Sequence, residues 1–135
     1  PEAVNRRFDR AFSALPEISR FVRDYFHRAG IDGNHLEPVQ LAVEEIFTNM
    51  VKYTAGSERI LIELQRSGCE LSVSLTDFNV DSFDIRSLPE VDVSLPLEHR
   101  RPGGLGIHLV KRLMDRIEYT YEDRCGTTTV FRKVE

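Results

Sequence analysis

The spacing of apolar residues changes near residue 57, and that change limits what the chain can fold into. Before it, Ile18, Phe21, Val22, Tyr25, Phe26 and Ala29 recur at intervals of three and four, as do Val39, Val43, Ile46, Phe47 and Met50. After it, Ile60, Ile62 and Leu64 alternate with Leu61, Glu63 and Gln65, and Leu71, Val73 and Leu75 alternate with Ser72, Ser74 and Thr76. A period near 3.6 buries one stripe of a helix, whereas a period of 2 buries one face of a strand. Two helices therefore precede a hairpin. Pro16 and Glu17 suit the first turn of the first helix, and Gly30 ends it. The polar stretch DGNHLE is read as a loop, and Pro38 opens a second helix over 38–54. The tripeptide RSG at 66–68 links strands over 58–66 and 69–76.

The flanking segments carry weaker patterns. Val4, Arg6, Phe8, Arg10 and Phe12 alternate, which predicts an edge strand over 4–12. Residues 77–103 hold no sustained period and contain Pro89, Pro96 and Pro102. A long segment of this kind in a compact domain usually serves as a loop or lid. A helix is predicted over about 105–116, with Leu105, Leu109 and Leu113 on one face and Val110 and Ile117 extending it. The stretches IEYTYED and TTTVFRKV then predict a second hairpin around Gly126. Together these elements predict an α+β fold: a two-layer α/β sandwich whose mixed, mostly antiparallel sheet is covered on one face by helices.

The chain has 135 residues, a length that suits one domain over 1–135. It has no run approaching the ~20 apolar residues of a membrane span. No basic segment followed by an apolar one opens it, so a cytoplasmic location without a membrane is expected. The net charge of -4, with arginines paired only at 6–7 and 100–101, argues against direct nucleic-acid binding. Cys69 and Cys125 are too few and too far apart for a redox motif or a zinc site. His27, His35, His99 and His108 are scattered without clustered carboxylates.

Three places carry chemistry. In LAVEEIFTNMVKY, residues Leu41, Glu45 and Asn49 stack at four-residue spacing, with Lys52 and Tyr53 a turn further on. A carboxylate and a carboxamide bordered by Ala42, Ile46 and Met50 need partners if they are buried. An exposed helix surface is the plainer alternative for this pair, and Glu44, one step round, is expected to face solvent. Next, RPGGLGIHLVKRLMD places Gly103, Gly104 and Gly106 at a helix start. Each glycine costs a helix about 1 kcal/mol, so three need a reason. Close approach of backbone to a ligand is one, while a flexible loop end accounts for Gly103 and Gly104 but poorly for Gly106. The spacing is not that of a P-loop or a dinucleotide fingerprint. Finally, Asp77 follows an alternating strand, where an ordinary strand-end turn residue is the plainer alternative. DFNVDSFDI opens like a calcium loop, but Ser82 and Leu88 stand where the turn glycine and the bidentate glutamate belong.

In this order, EExxxN on a helix, an aspartate after a hairpin, a proline-broken segment, GGLG into a helix and GTTTVF in a late strand resemble the ATP-binding fold of gyrase, heat-shock chaperone, histidine-kinase and MutL ATPases. The wording LAVEEIFTN, GGLGIHLVKRLMD and GTTTVFRK is most similar to the bacterial anti-sigma-factor serine/threonine kinases. The resemblance implies an ATP- and Mg²⁺-dependent kinase that phosphorylates an anti-anti-sigma-type protein. It also implies binding to a sigma factor and a homodimer. It assigns Glu45 as general base, Asn49 as Mg²⁺ ligand with Lys52 nearby, and Asp77 as acceptor of the adenine amino group. Arg101, Gly103, Gly104 and Gly106 match the β/γ-phosphate site, and Thr128 or Thr127 matches the late-strand threonine near adenine. The family usually has glycine two residues after the aspartate, where this chain has Asn79. That departure leaves open a second reading, a protein-interaction switch of the same fold that binds ATP weakly or does not transfer phosphate.

Overall fold

The computed structural model describes residues 2–88 and 104–135. Strand β1 covers Val4–Phe8, helix α1 Leu15–Ala29 and helix α2 Leu36–Tyr53. Strands β2 (Ile60–Ser67) and β3 (Glu70–Phe78) follow, then helix α3 (Gly104–Leu113) and strands β4 (Arg116–Glu122) and β5 (Cys125–Lys133). The sheet order is β1-β2-β3-β5-β4. All four pairings are antiparallel, so the mixed character expected of the sheet is absent among the described residues.

The two periodicities produce the two layers. Ile60, Ile62 and Leu64 of β2 and Leu71, Val73 and Leu75 of β3 are buried on one sheet face. Against them lie Ile18, Val22 and Tyr25 of α1 and Val39, Val43, Ile46, Phe47 and Met50 of α2. The opposite face is polar, with Ser74 paired to Thr129 at 3.0 Å and Thr76 to Thr127 at 2.9 Å across β3 and β5. One face is covered and the other is hydrated, as alternating antiparallel strands allow.

Several boundaries differ from the sequence reading. The first strand ends at Phe8, not at residue 12, because the chain turns off the sheet edge there and Arg10 reaches inward. The DGNH stretch is a short 3₁₀ turn over Gly33–His35, started by the Asp32 carboxylate accepting from the Asn34 N–H at 2.8 Å. It runs into α2, which begins at Leu36. Pro38 still falls in the first turn, where no intrahelical N–H bond is lost. Helix α3 stops at Leu113 instead of 116. The Asp115 N–H donates to Phe131 O at 2.8 Å, and its carboxylate accepts from the Lys133 N–H at 2.6 Å, which commits the chain to the sheet.

The buried face of α3 is also different. Ile107, Val110 and Met114 are buried and Leu113 packs partly against the core, while Leu109 is exposed, so Leu109 does not share the core face as expected. The second hairpin turns at Asp123 and Arg124, both with left-handed φ (53° and 62°), not around Gly126. Two consecutive left-handed residues give the two-residue turn whose twist suits a hairpin. Gly126 lies instead within β5, opposite Asp77. Within the segment read as irregular, 77–78 complete β3 and Ile85–Ser87 form a 3₁₀ turn. Most of the expected lid, including Arg101 and Gly103, lies outside the described residues.

Candidate nucleotide site

Helix α2 carries one end of the site. Asn49 is 1% exposed, and its Nδ2 donates to Glu45 O at 2.7 Å. Its Oδ1 is buried with no hydrogen-bond partner among the described residues. A buried amide oxygen without a donor is costly in the bare fold. An oxygen-seeking cation would satisfy it, so the residue fits a Mg²⁺ ligand on chemical grounds.

One turn toward the N-terminus, Glu45 is half-buried. Burial pushes its carboxyl pKa above the ordinary carboxylate value, and the positive charge of Lys52 partly opposes that rise. A raised carboxyl pKa is suited to proton acceptance near neutral pH. Glu44 does not face open solvent as expected. It too is half-buried, and desolvation, with Glu45 beside it, raises its pKa. Leu41 is exposed, so the row Leu41–Glu45–Asn49 grades from surface to interior.

Helix α3 meets this row through Gly106. A Cβ placed there would overlap the Glu45 carboxylate, so a larger residue would push that side chain from its place. Gly104 is the first residue of α3. The third glycine of the motif thus has a packing reason that the sequence pattern did not disclose.

Strand β3 carries the other end. Asp77 is 2% exposed at the end of β3. Thr54, just past the end of α2, donates from Oγ1 to Asp77 Oδ2 at 2.8 Å, while the Arg10 guanidinium is ion-paired to Oδ1. Arg10 also donates to Thr54 Oγ1 at 2.8 Å, Met50 O at 3.3 Å and Glu58 O at 3.2 Å. Neither Arg10 nor Thr54 was singled out in the sequence. Arg10 lies 67 residues from Asp77, and nothing local marks the pair.

A narrow cleft beside Asp77 is lined by Met50, Thr54, Val80, Phe83, Tyr119 and Gly126. A Cβ at Gly126 would press on the Tyr119 hydroxyl, which accepts from the Phe83 N–H at 2.9 Å. The side chains of Thr128 and Thr127 point to opposite faces. Thr128 is buried on the face that carries Asp77, whereas Thr127 bonds Thr76 on the other. Asn79 adopts φ 56°, the left-handed conformation that the family glycine would take without strain. Arg124 Nε donates to its Oδ1 at 3.1 Å.

From Glu45 to Thr54 the chain rises about 14 Å along α2 at ~1.5 Å per residue. A half-buried carboxylate and an orphaned amide oxygen stand toward one end of this span, and a buried carboxylate beside a cleft stands at the other. A histidine kinase-like ATPase domain model matches residues 9–133, and the chain belongs to that family.

Within it, the chain is similar to serine-protein kinase RsbW of Listeria monocytogenes, 33% identical over 113 residues, covering 78% of this chain and 70% of the relative. It is 29% identical over 112 residues to serine-protein kinase RsbW of Bacillus cereus, covering 79% and 69%. These relatives place the chain among the serine kinases that use ATP. The RsbU and RsbW domains of a Mycobacterium tuberculosis protein share the fold at TM-score 0.71 and 12% identity, over 99% of this chain and 33% of theirs. A chain of the SiaB–SiaC complex from Pseudomonas aeruginosa shares it at TM-score 0.61 and 16% identity, over 96% and 87%. No helix among the described residues is long and apolar enough to cross a membrane.

Proposed function

We propose that this chain is an ATP-dependent serine/threonine protein kinase acting as an anti-sigma regulatory factor, with residues 1–135 as one ATP-binding domain. Its substrate is an anti-anti-sigma-type protein, and its further partners are a sigma factor and a second copy of the chain. It works in the cytoplasm, without nucleic acid or membrane. The observation that carries this reading is the buried Asn49 Oδ1 without a partner, one helical turn from a half-buried Glu45. A structural helix face would pair that oxygen or expose it.

In this reading Asp77 accepts from the adenine amino group, with Thr128 on the same sheet face. Gly104 and Gly106, together with Arg101 and Gly103, hold the β- and γ-phosphates. Lys52 contributes positive charge near them. Asn49 Oδ1 would ligate Mg²⁺, which when bound neutralises phosphate charge and aligns the phosphates. Glu45 takes the proton from a seryl hydroxyl as that oxygen bonds the γ-phosphorus. The bond from the γ-phosphorus to the bridging oxygen breaks, and ADP leaves.

Radiolabelled ATP with a seryl anti-anti-sigma-type protein tests this. The wild type transfers phosphate, and Glu45→Gln, which keeps shape but cannot accept the proton, loses about 10²–10⁴-fold with nucleotide binding little changed. Asn49→Ala loses binding as well as turnover. A wild type that holds its partner but transfers no phosphate would instead establish the non-catalytic switch.

A further inference from the structure

We propose that Arg10 is the positioning residue of the adenine site. It would hold the Asp77 carboxylate so that its remaining acceptor capacity faces the cleft, and so make discrimination for the adenine amino group depend on a residue outside the cleft. The inference rests on the reading of Asp77 as the adenine acceptor.

A nearly inaccessible carboxylate is tolerated only when its charge is paired and its oxygens are hydrogen-bonded. Here the two oxygens are divided between two donors. Arg10 holds Oδ1, and Thr54 Oγ1 donates to Oδ2. A carboxylate has about four lone-pair sites, so two acceptor positions stay available. Arginine carries only donors and keeps its proton throughout the accessible pH range, so it can serve only to hold the anion.

The sheet order sets the direction of approach. Asp77 lies on β3, between β2 and β5. Arg10 bonds Glu58 O just before β2 and Met50 O and Thr54 Oγ1 at the end of α2, while Gly126 of β5 and Tyr119 of β4 line the cleft across β3. In the proposal the guanidinium holds the carboxylate from the side of α2 and β2, and a ligand meets it from the side of β5.

Two further features show that the seat is built for this side chain. Arg10 ties Met50 O and Thr54 Oγ1, at the end of α2, to the end of β3 through one planar group. In the loop after α2, a Cβ at Gly56 would overlap the Arg10 guanidinium and crowd Val80. A side chain at 56 would have to displace the fork or Val80.

Nucleotide binding measured by calorimetry, with ATP and with purine riboside triphosphate, which is ATP without the exocyclic amino group, tests the proposal. The wild type should prefer ATP by roughly tenfold to a hundredfold, the worth of a hydrogen bond to a charged group. Asp77→Asn should abolish that preference, which establishes the acceptor. Arg10→Met should then bring the two affinities within about threefold of each other while Asp77 is intact, with Arg10→Lys between it and the wild type. If Arg10→Met does not fold by circular dichroism, Gly56→Ala displaces the guanidinium with both partners present and should also lower the preference. An unchanged ATP preference in the folded Arg10 and Gly56 variants would overturn the proposal, because a merely structural role weakens both nucleotides alike. A rise in ATP affinity would also overturn it, by showing that the guanidinium blocks the site. A wild type with no preference for ATP would instead overturn the assignment of Asp77, and the inference with it.

Discussion

At Glu45 the same burial that suits the carboxylate to proton acceptance costs the fold something. Its folded pKa, like that of Glu44, stands above the ordinary 4.5. Between the unfolded and folded values the native state binds more protons than the unfolded one, so this contribution to stability is lost as pH rises through that window. Above that window the raised pKa is a net burden on the folded state. Glu45→Gln should therefore melt higher than the wild type at pH 7, and the gain should vanish as pH falls below about 4.5. Thermal melts across pH 4–8 check this, and a Glu45→Gln protein that melts lower at pH 7 would contradict the assigned burial. The variant would then be more stable and less active, a trade often seen at catalytic groups. Glu44→Gln is not a silent control in this experiment, since Glu44 shares the half-buried setting.

The contact between α2 and α3 depends on one missing side chain. Glycine inside a helix costs about 1 kcal/mol relative to alanine, so Gly106→Ala should favour α3 in isolation. In the folded protein the added methyl meets the Glu45 carboxylate and must push it aside. We expect phosphotransfer to fall about tenfold or more in Gly106→Ala, since small misplacements of a catalytic group carry large rate costs. ATP affinity should fall much less, and a Gly106→Ala protein with wild-type turnover would remove the packing argument. The hairpin of β4 and β5 shows a similar local economy. Asp123 and Arg124 both accept left-handed backbone, and Arg124 then reaches across to Asn79, which is itself left-handed. Asn79 thus takes the left-handed backbone that a glycine would take there.

For the molecule as a whole, the Arg10–Asp77 pair joins the chain after β1 to the centre of the sheet and to the end of α2. Its side chains are 12% and 3% exposed, so the pair is desolvated. Removing one partner of a buried pair leaves an uncompensated charge, at a cost of about 3–5 kcal/mol. Arg10→Met should lower the urea midpoint accordingly. Asp77→Asn, which keeps its shape and its bond to Thr54, should lower it less while weakening ATP binding tenfold to a hundredfold. Equal midpoints for the wild type and Arg10→Met would show that the pair contributes nothing to stability. Two-state unfolding is the expectation for one domain of this length, so a single midpoint is the relevant measure.

The sequence alone determined the layers, because hydrophobic period is a local property. The helical stripes at 18–29 and 39–50 and the alternation at 60–64 and 71–75 all reappear as the buried core. It also set Glu45 and Asn49 one turn apart on one helix face, as on any helix through them. Only the tertiary structure decided the rest. The β3–β5 pairing, which sets Gly126 against Asp77 and turns Thr128 rather than Thr127 to the same face, joins segments about fifty residues apart. The partnership of Asp77 with Arg10, and the room at Gly106 and Gly56, are likewise contacts between distant segments. Long-range contacts leave no period or spacing along the chain, and they became legible only when packing brought those segments together.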